Sequence, residues 1–467
     1  MSSTQVTTQP SGIQPLASSF RDRSGFIFKR DGVLFRRIHS SYLPEFRALT
    51  GSGFFRKLWD RGLLIPHQEV ENPSAGGDEI TIRPDQLAFV SYPYEWSFGQ
   101  FKDAALATLE IQKLAIENGF TLKDASAYNI QFVDGRPVLI DTLSFETYKE
   151  GSPWIAYRQF CQHFLAPLAL MALKDVRLSK LTRIFIDGIP LDLASRLLPR
   201  RSKFRPGLLF HLHLHAKSQG KYTNKNQDVK DRRISRNGLL GIIGNLEANV
   251  RKLQWLPANT EWGDYYAITN YTDASFRAKE DLVTAAIERV KPRSVWDLGA
   301  NNGHFSRLAS RKGINTVAWD IDPTAVELNY RDIRRQKETH LYPAIIDLSN
   351  PSPGLGWANA ERDSFFSRHG KPDLILSLAL IHHIAIGNNV PLASVASAYA
   401  DLAPNAVVEF VPKSDSKVKE LLLNREDIFD DYTVDGFESA FGAHFEVVDK
   451  QPIPGSERTL YLLQRKS

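Results

Sequence analysis

The sequence predicts an α/β chain in two parts: an α+β unit, then a doubly wound, seven-stranded sheet. Three observations carry this. At 467 residues the chain exceeds what one hydrophobic core usually serves, so two domains and a linker are expected. From about residue 275 onward, apolar strand-like runs alternate with helical periodicity, the pattern of a mostly parallel sheet covered on both faces. Upstream, the pattern is instead a hairpin, then helices, then scattered short runs. Composition is that of an ordinary globular protein, 42% hydrophobic and 24% charged. A net charge of +5 is small for this length and demands no polyanionic partner. Cys161 is the single cysteine, which excludes a disulfide within the chain and points to a reducing compartment; the cytoplasm is the expected location.

Residues 1–19, MSSTQVTTQPSGIQPLASS, carry no charged side chain and no apolar core; a disordered tail is expected, not a signal peptide. The first domain is expected over 20–215. In GFIFKRDGVLFRRI (25–38) two alternating runs flank Asp31-Gly32, a strong hairpin signal. Helical periodicity follows in SYLPEFRALTGSGFFRKLWDRGLL, divided by Gly51 and Gly53. LAFVSYPYEW (87–96) reads as a strand, and FGQFKDAALATLEIQKLAIENGF (98–120) as a long amphipathic helix closed by Gly119. FLAPLALMAL (164–173) is about half a membrane span and contains Pro167, so a buried helix is expected and no membrane insertion. HLHLH (211–215) would put three histidines on one face if it were a strand, a conceivable metal site; next to helical sequence, packing or surface histidines are the simpler reading.

KSQGKYTNKNQDVKDRRISRNG (217–238) holds seven Lys or Arg against two Asp and almost nothing apolar. It reads as a solvated connector, and 216–254 as basic linker and helix. The second domain is expected over 255–467. Its Tyr-rich start, EWGDYYAITNYTDASFRAKEDL (261–282), is expected to fold over a ligand site, with Tyr266 and Tyr271 as substrate contacts or packing aromatics. Strand-like runs then follow: SVWDLG, TVAWDID, PAIIDL, DLILSLAL, AVVEFV, FEVVDK and TLYLLQRK.

VWDLGANNGHF supplies a strand ending in Asp297, then Gly299 and Gly303, then a helix start. Such glycines let backbone approach a ligand facing a helix N-terminus. The dinucleotide fingerprint G-x-G-x-x-G fails, because the positions read Gly299, Asn301 and His304. The motif resembles D-x-G-x-x-x-G of class I S-adenosylmethionine-dependent methyltransferases, Rossmann-like proteins, with Asn301 where glycine is usual. The resemblance implies that Asp297 faces the methionine end of S-adenosylmethionine, with Gly299, Asn301 and Gly303 alongside. It implies that Asp320 takes both ribose hydroxyls, that Ile321 lies by the adenine, and that Asp347 reads the adenine amino group. PDLILSLALIHHI (372–384) resembles the fourth motif and adds Ser377 to the cofactor-binding set. His382 and His383 are then candidate general bases for an acceptor that must lose a proton; packing of the turn is their plainer role. Glu409 and Lys413 border the same opening. The Asn-Pro-Pro-Tyr-type motif of amino-group DNA methyltransferases is replaced by SLAL, which argues against a nucleobase amine as acceptor; the expected methyl acceptor is a small molecule or glycan, not nucleic acid.

LKDASAYNIQFVDGRPVLIDTLSFE resembles the catalytic and metal loops of aminoglycoside- and small-molecule-kinase-like phosphotransferases. The resemblance implies Asp124 as the base, with Asn129 and Asp141 holding Mg²⁺ beside ATP. The chain departs from that family at Leu122, where histidine is usual, and lacks a Gly-rich phosphate loop and a clear strand lysine; VLFRRI offers only Arg36 and Arg37. A phosphotransferase, a nucleotide- or metal-binding domain, and a docking scaffold all remain open at this level.

Overall fold

The structure is a computed structural model that describes residues 15–70, 79–216, 233–257, 272–423 and 425–466. Tyr266 and Tyr271 lie outside the described residues, as does most of the basic connector.

The first unit opens with the expected hairpin. β1 (Gly25–Arg30) and β2 (Val33–Ile38) pair in register from Gly25↔Ile38 to Arg30↔Val33. Asp31 and Gly32 both take positive φ, 53° and 77°, which is the tight two-residue turn that matches strand twist. β3 (His67–Val70) and β4 (Ile80–Pro84) complete a four-stranded antiparallel sheet of order β1-β2-β4-β3. Helices Leu43–Gly51 and Phe54–Asp60 are separated at Ser52-Gly53, where Gly53 is left-handed. Upstream of the sheet, the Leu16 N–H donates to the Ile27 carbonyl at 2.7 Å, so the segment expected to be a tail is structured from Pro15.

The stretch 87–96 is not a strand. Glu95 accepts a hydrogen bond from the Tyr92 N–H at 2.8 Å and caps a single 3₁₀ turn, Pro93–Glu95. Apolar aromatics mimicked strand content there, but Pro93 and this cap close a turn. Ser97 and Gln100 form a capping box at the start of the helix Phe98–Glu117, which ends before left-handed Gly119. β5 (Phe120–Leu122) pairs with β8 (Phe145–Thr147), and β6 (Ile130–Val133) with β7 (Arg136–Leu139). The opening Asp124 and closing Asp141 thus flank a small hairpin. The apolar run 164–173 is buried helix, a π turn leading into Ala166–Leu173. HLHLH also winds as helix. His211 is held between Tyr157 Oη and Asn245 Oδ1, and His213 between Ser195 and Ser202 Oγ, so each ring is used in packing. Among the described residues, no cluster of three or more His, Cys, Asp or Glu is disposed to hold a metal, and no helix is long and apolar enough to cross a membrane.

The helix Arg236–Lys252 packs along Phe98–Glu117. The second unit begins with helix Asp273–Val290 and continues as β9 (Ser294–Leu298), β10 (Asn315–Asp320), β11 (Leu341–Ile345), β12 (Leu374–Ser377), β13 (Asn405–Phe410), β14 (Phe445–Pro452) and β15 (Thr459–Arg465). The sheet order is β11-β10-β9-β12-β13-β15-β14, doubly wound with its crossover between β9 and β12. β15 alone runs antiparallel to its neighbours. A doubly wound sheet opens its ligand crevice at the carboxyl ends on either side of that switch.

The two units touch through polar contacts that are partly or wholly buried. The Gly99 N–H donates to Glu327 Oε2 at 2.7 Å, and Tyr330 Oη donates to Asp103 Oδ2 at 2.7 Å. Arg368 and Glu95 pair at 2.6 Å with both side chains almost wholly buried. A cation so enclosed keeps its charge because its partner and the Tyr92 ring, 3.8 Å from the guanidinium, replace lost water.

Candidate active site

At the carboxyl ends of β9 and β10 a cavity opens that is lined by Asp297, Gly299, Asn301, Asp320, Ile321 and Asp347. Six of the eight residues expected around the cofactor therefore meet in one place. Gly299 turns the chain with φ 72°, and a Cβ there would stand 3.1 Å from the Leu380 side chain across the cavity. Asn301 is left-handed at φ 51°, a conformation that glycine adopts freely and asparagine tolerates. That geometry explains why the commonest motif has glycine at this point. The Asn301 N–H donates to Asp320 Oδ2 at 2.8 Å, and the Asp322 N–H to Asp320 Oδ1 at 2.8 Å. Each Asp320 oxygen thus keeps lone-pair capacity for a further donor.

Burial raises the Asp320 carboxyl to about 6. It raises Asp297 to about 7, although Ser306 Oγ donates to Asp297 Oδ2 at 2.6 Å. Asp347 sits at the rim and accepts from the Ser349 N–H at 2.9 Å. Ile321, 52% exposed, forms an open apolar lip.

Two expected residues stand elsewhere. Gly303 is absent from the wall; its φ is 79°, and a Cβ would lie 2.5 Å from Asn329 Nδ2, so it serves helix–sheet packing. Ser377 is fully buried and its Oγ lies 2.8 Å from Tyr399 Oη, on the face of β12 away from the cavity. Strand alternation is the reason, since Leu378 and not Ser377 lines the wall. The histidine pair also divides. His383 lines the cavity, and burial with the Arg458 and Lys417 charges lowers it to about 4. His382 is 1% exposed and lies behind the wall, its ring centre 4.1 Å from that of His383. Glu409 is behind the wall as well, and Lys413 pairs with Asp427 at the surface.

Lys279 was missed by sequence reading. It comes from the helix Asp273–Val290, lines the cavity beside Asp297, and is almost wholly buried. Its Nζ is 2.6 Å from Glu409 Oε2 and 4.5 Å from the Phe305 ring centre. Glu409 also meets Arg458, which in turn meets Asp415, a chain of alternating buried charges bracing the end of β13. No local pattern marks a lysine in an amphipathic helix as inward-facing.

The Mg²⁺ expectation for the first unit fares differently. Arg36 inserts its guanidinium between Asp141 and Asp22, pairing with both, and is 7% exposed. Burial opposes ionisation of Asp141, yet the Arg36 charge together with hydrogen bonds from Ser144, the Leu143 N–H and Arg36 itself holds the carboxyl below the usual carboxylate range. The other Asp141 oxygen accepts from Ser144 Oγ at 2.6 Å. Asn129 donates to the same Ser144 Oγ at 3.3 Å, and Asp124 accepts from the Ser126 N–H and from Gln159. Burial and the nearby Asp141 charge raise Asp124. Arg36 already pairs with one Asp141 oxygen and Ser144 donates to the other, so these residues do not fit a metal–nucleotide site as they stand.

Comparison with known proteins agrees with the second unit's geometry. Residues 271–439 match the family model described as a methyltransferase domain. The protein is a methyltransferase with S-adenosylmethionine as its cofactor. Over 461 residues the chain is 36% identical to the nodulation protein NoeA of Rhizobium meliloti (strain 1021), covering 96% of each chain, and it belongs to that protein's family. Among solved structures it aligns with the N-methyltransferase NodS of Bradyrhizobium japonicum WM9, at 11% identity and TM-score 0.32, over 42% of this chain and 98% of that one. It also aligns with WbdD, at 15% identity and TM-score 0.31; the match covers 41% of each chain, less than half of WbdD. Alignments this loose bear on no individual residue of the site.

Proposed function

We propose that this chain methylates a hydroxyl-bearing small molecule or glycan, with His383 as the base, and that its first domain is a docking scaffold without phosphotransfer. The observation that carries the reading is the meeting of His383 with Asp297, Gly299 and Asp320 in a single cavity. Asp320 would accept both ribose hydroxyls, Asp347 would take the adenine amino group, and Ile321 would cover the ring. Asp297 would face the cofactor's ammonium, with Lys279 beside it.

When bound, S-adenosylmethionine supplies an already electrophilic methyl group. The chain's own work is to align an acceptor oxygen with it, keep water out and take one proton. His383 suits the last task because it lines the cavity and burial keeps its ring neutral near pH 7. Arg36 supports the scaffold reading by occupying the cation position of the kinase-like loop. NoeA's part in nodulation marks a setting in which to look for the acceptor.

Two outcomes test this reading. His383→Gln should lower methyl transfer roughly 100-fold, the usual size of a lost general base, while calorimetric binding of S-adenosylmethionine stays unchanged. The assay is transfer of labelled methyl to panels of hydroxylated metabolites and oligosaccharides; undiminished transfer by the variant would remove His383 from the chemistry. The second outcome concerns pH. Asp320 must be ionised to accept two hydrogen bonds, so protons compete with the cofactor below about pH 6. Its dissociation constant should rise roughly tenfold per pH unit there, beginning nearer pH 7 where Asp297 also takes up its proton. Binding that is flat from pH 7.5 to 5 would contradict the assignment of both carboxylates.

A further inference from the structure

One face of the first domain is unlike the rest of its surface. His213, buried, has Ser195 Oγ at 2.7 Å on one ring nitrogen and Ser202 Oγ at 2.9 Å on the other. It thereby clasps three segments: the helix Leu191–Leu197, the turn Arg200–Phe204 and the helical run Leu209–Leu214. Apolar side chains leave this clasp outward. Phe204 is 87% exposed and Phe210 62%, with Leu214 and Leu197 beside them at 41% and 36%. Phe210 and Leu214 stand about one helical turn apart, on one side of their segment.

Between these apolar tips lie Arg200, Arg201, Lys203 and Arg205, all exposed and none in an ion pair among the described residues. Arg196 adds a fifth cation, and the one acid from 191 to 214, Asp192, is already paired with it. Phe204 thus stands in solvent on a basic turn, between Lys203 and Arg205.

We propose that this face adsorbs to an anionic membrane surface, with Phe204 and Phe210 entering the headgroup–acyl boundary and the five cations lying at the phosphate level. Separate aromatic tips interleaved with cations suit a soft, uniformly negative plane. A protein partner would more naturally be met by a contiguous apolar patch with a polar rim. The adsorbed state needs no spanning segment, consistent with the lack of such a helix among the described residues. The cavity of the second domain takes no part in it.

The test is co-sedimentation of the full chain with vesicles of phosphatidylcholine alone or mixed with phosphatidylglycerol. Binding should be at least roughly tenfold stronger to the mixed vesicles and should fall as salt is raised. Phe204→Ala with Phe210→Ala, and separately Arg200→Glu with Arg201→Glu, should each weaken it roughly tenfold. Both double variants should retain the wild-type heat of S-adenosylmethionine binding, which shows that they fold. Three results overturn the proposal: no binding to mixed vesicles, equal binding to both vesicle types, or binding that the phenylalanine variant leaves unchanged. The last would mean unspecific cationic adsorption. Capture of a protein by this face, with vesicles left unbound, overturns it too.

Discussion

Asp320→Ala is expected to weaken S-adenosylmethionine binding by about 100-fold or more in calorimetric titration. Hydrogen bonds to an ionised group contribute about 1.5–3 kcal/mol each, and the variant removes two of them on the ribose. The loss should exceed that of Asp347→Ala, because in the proposed binding mode Asp347, a lining residue, would meet only one amino group with one oxygen. Asp320 also holds the Asn301 and Asp322 N–H groups, so part of the effect would come through the loop between β9 and the following helix. Asp320→Asn separates the two contributions. It keeps an acceptor for one backbone N–H while losing the charge and one of two acceptor oxygens. Equal affinity of wild type and Asp320→Ala would remove the ribose assignment altogether.

Arg36→Ala should destabilise the first domain by about 3 kcal/mol or more, read as a lower urea midpoint by fluorescence. Removing one member of a buried ion-pair group leaves the remaining charges uncompensated, and such losses run at about 3–5 kcal/mol. Here the stranded groups are Asp22 and Asp141, with side chains 26% and 18% exposed. Water reaches them in part, which places the expectation at the low end of the range. The variant carries a second, more telling outcome. With the guanidinium gone, Asp124, Asn129 and Asp141 regain an anionic cleft, and Mg²⁺ should partly restore the lost stability. Wild type should be indifferent to Mg²⁺. Restoration in neither protein would mean that Arg36 is a plain structural arginine with no relation to a cation position.

The parts that were legible in the sequence share a property: the chemistry and the geometry are close together along the chain. Asp31-Gly32 specified its own turn. Asp297, Gly299 and Asn301 lie within five residues at a strand end, Asp320 ends the next strand and Asp347 follows the one after by two residues, so order alone gathered them. The alternation of runs from β9 to β13 gave the parallel sheet for the same reason. What escaped depends on distant contacts or on parity. Lys279 reaches the cavity only because its helix packs against β13, 130 residues later, where Glu409 receives it. VLFRRI shows Arg36 only as an arginine where a strand lysine is usual, because its partner Asp141 lies 105 residues away. Ser377 was misplaced by one step of strand alternation, which turns its hydroxyl to Tyr399. At 87–96 aromatic content mimicked a strand, and Pro93 with the Glu95 cap overrode it.

Arg36 also changes what the stretch DASAYNIQFVDGRPVLID signifies. It keeps the residue types of a base and two metal ligands, while the structure satisfies each of them internally. The contact of Gly99 and Asp103 with the helix Pro323–Gln336 joins this domain to the element that follows Asp320.

On the reading proposed above, one ligand-binding centre, in the second domain, carries the chemistry. Sequential calorimetric titration of the full chain with S-adenosylhomocysteine and then with ATP–Mg²⁺ tests it most directly. Saturable, one-to-one heat is expected with the first ligand and none with the second. Saturable ATP–Mg²⁺ heat that disappears in Asp141→Ala would contradict it.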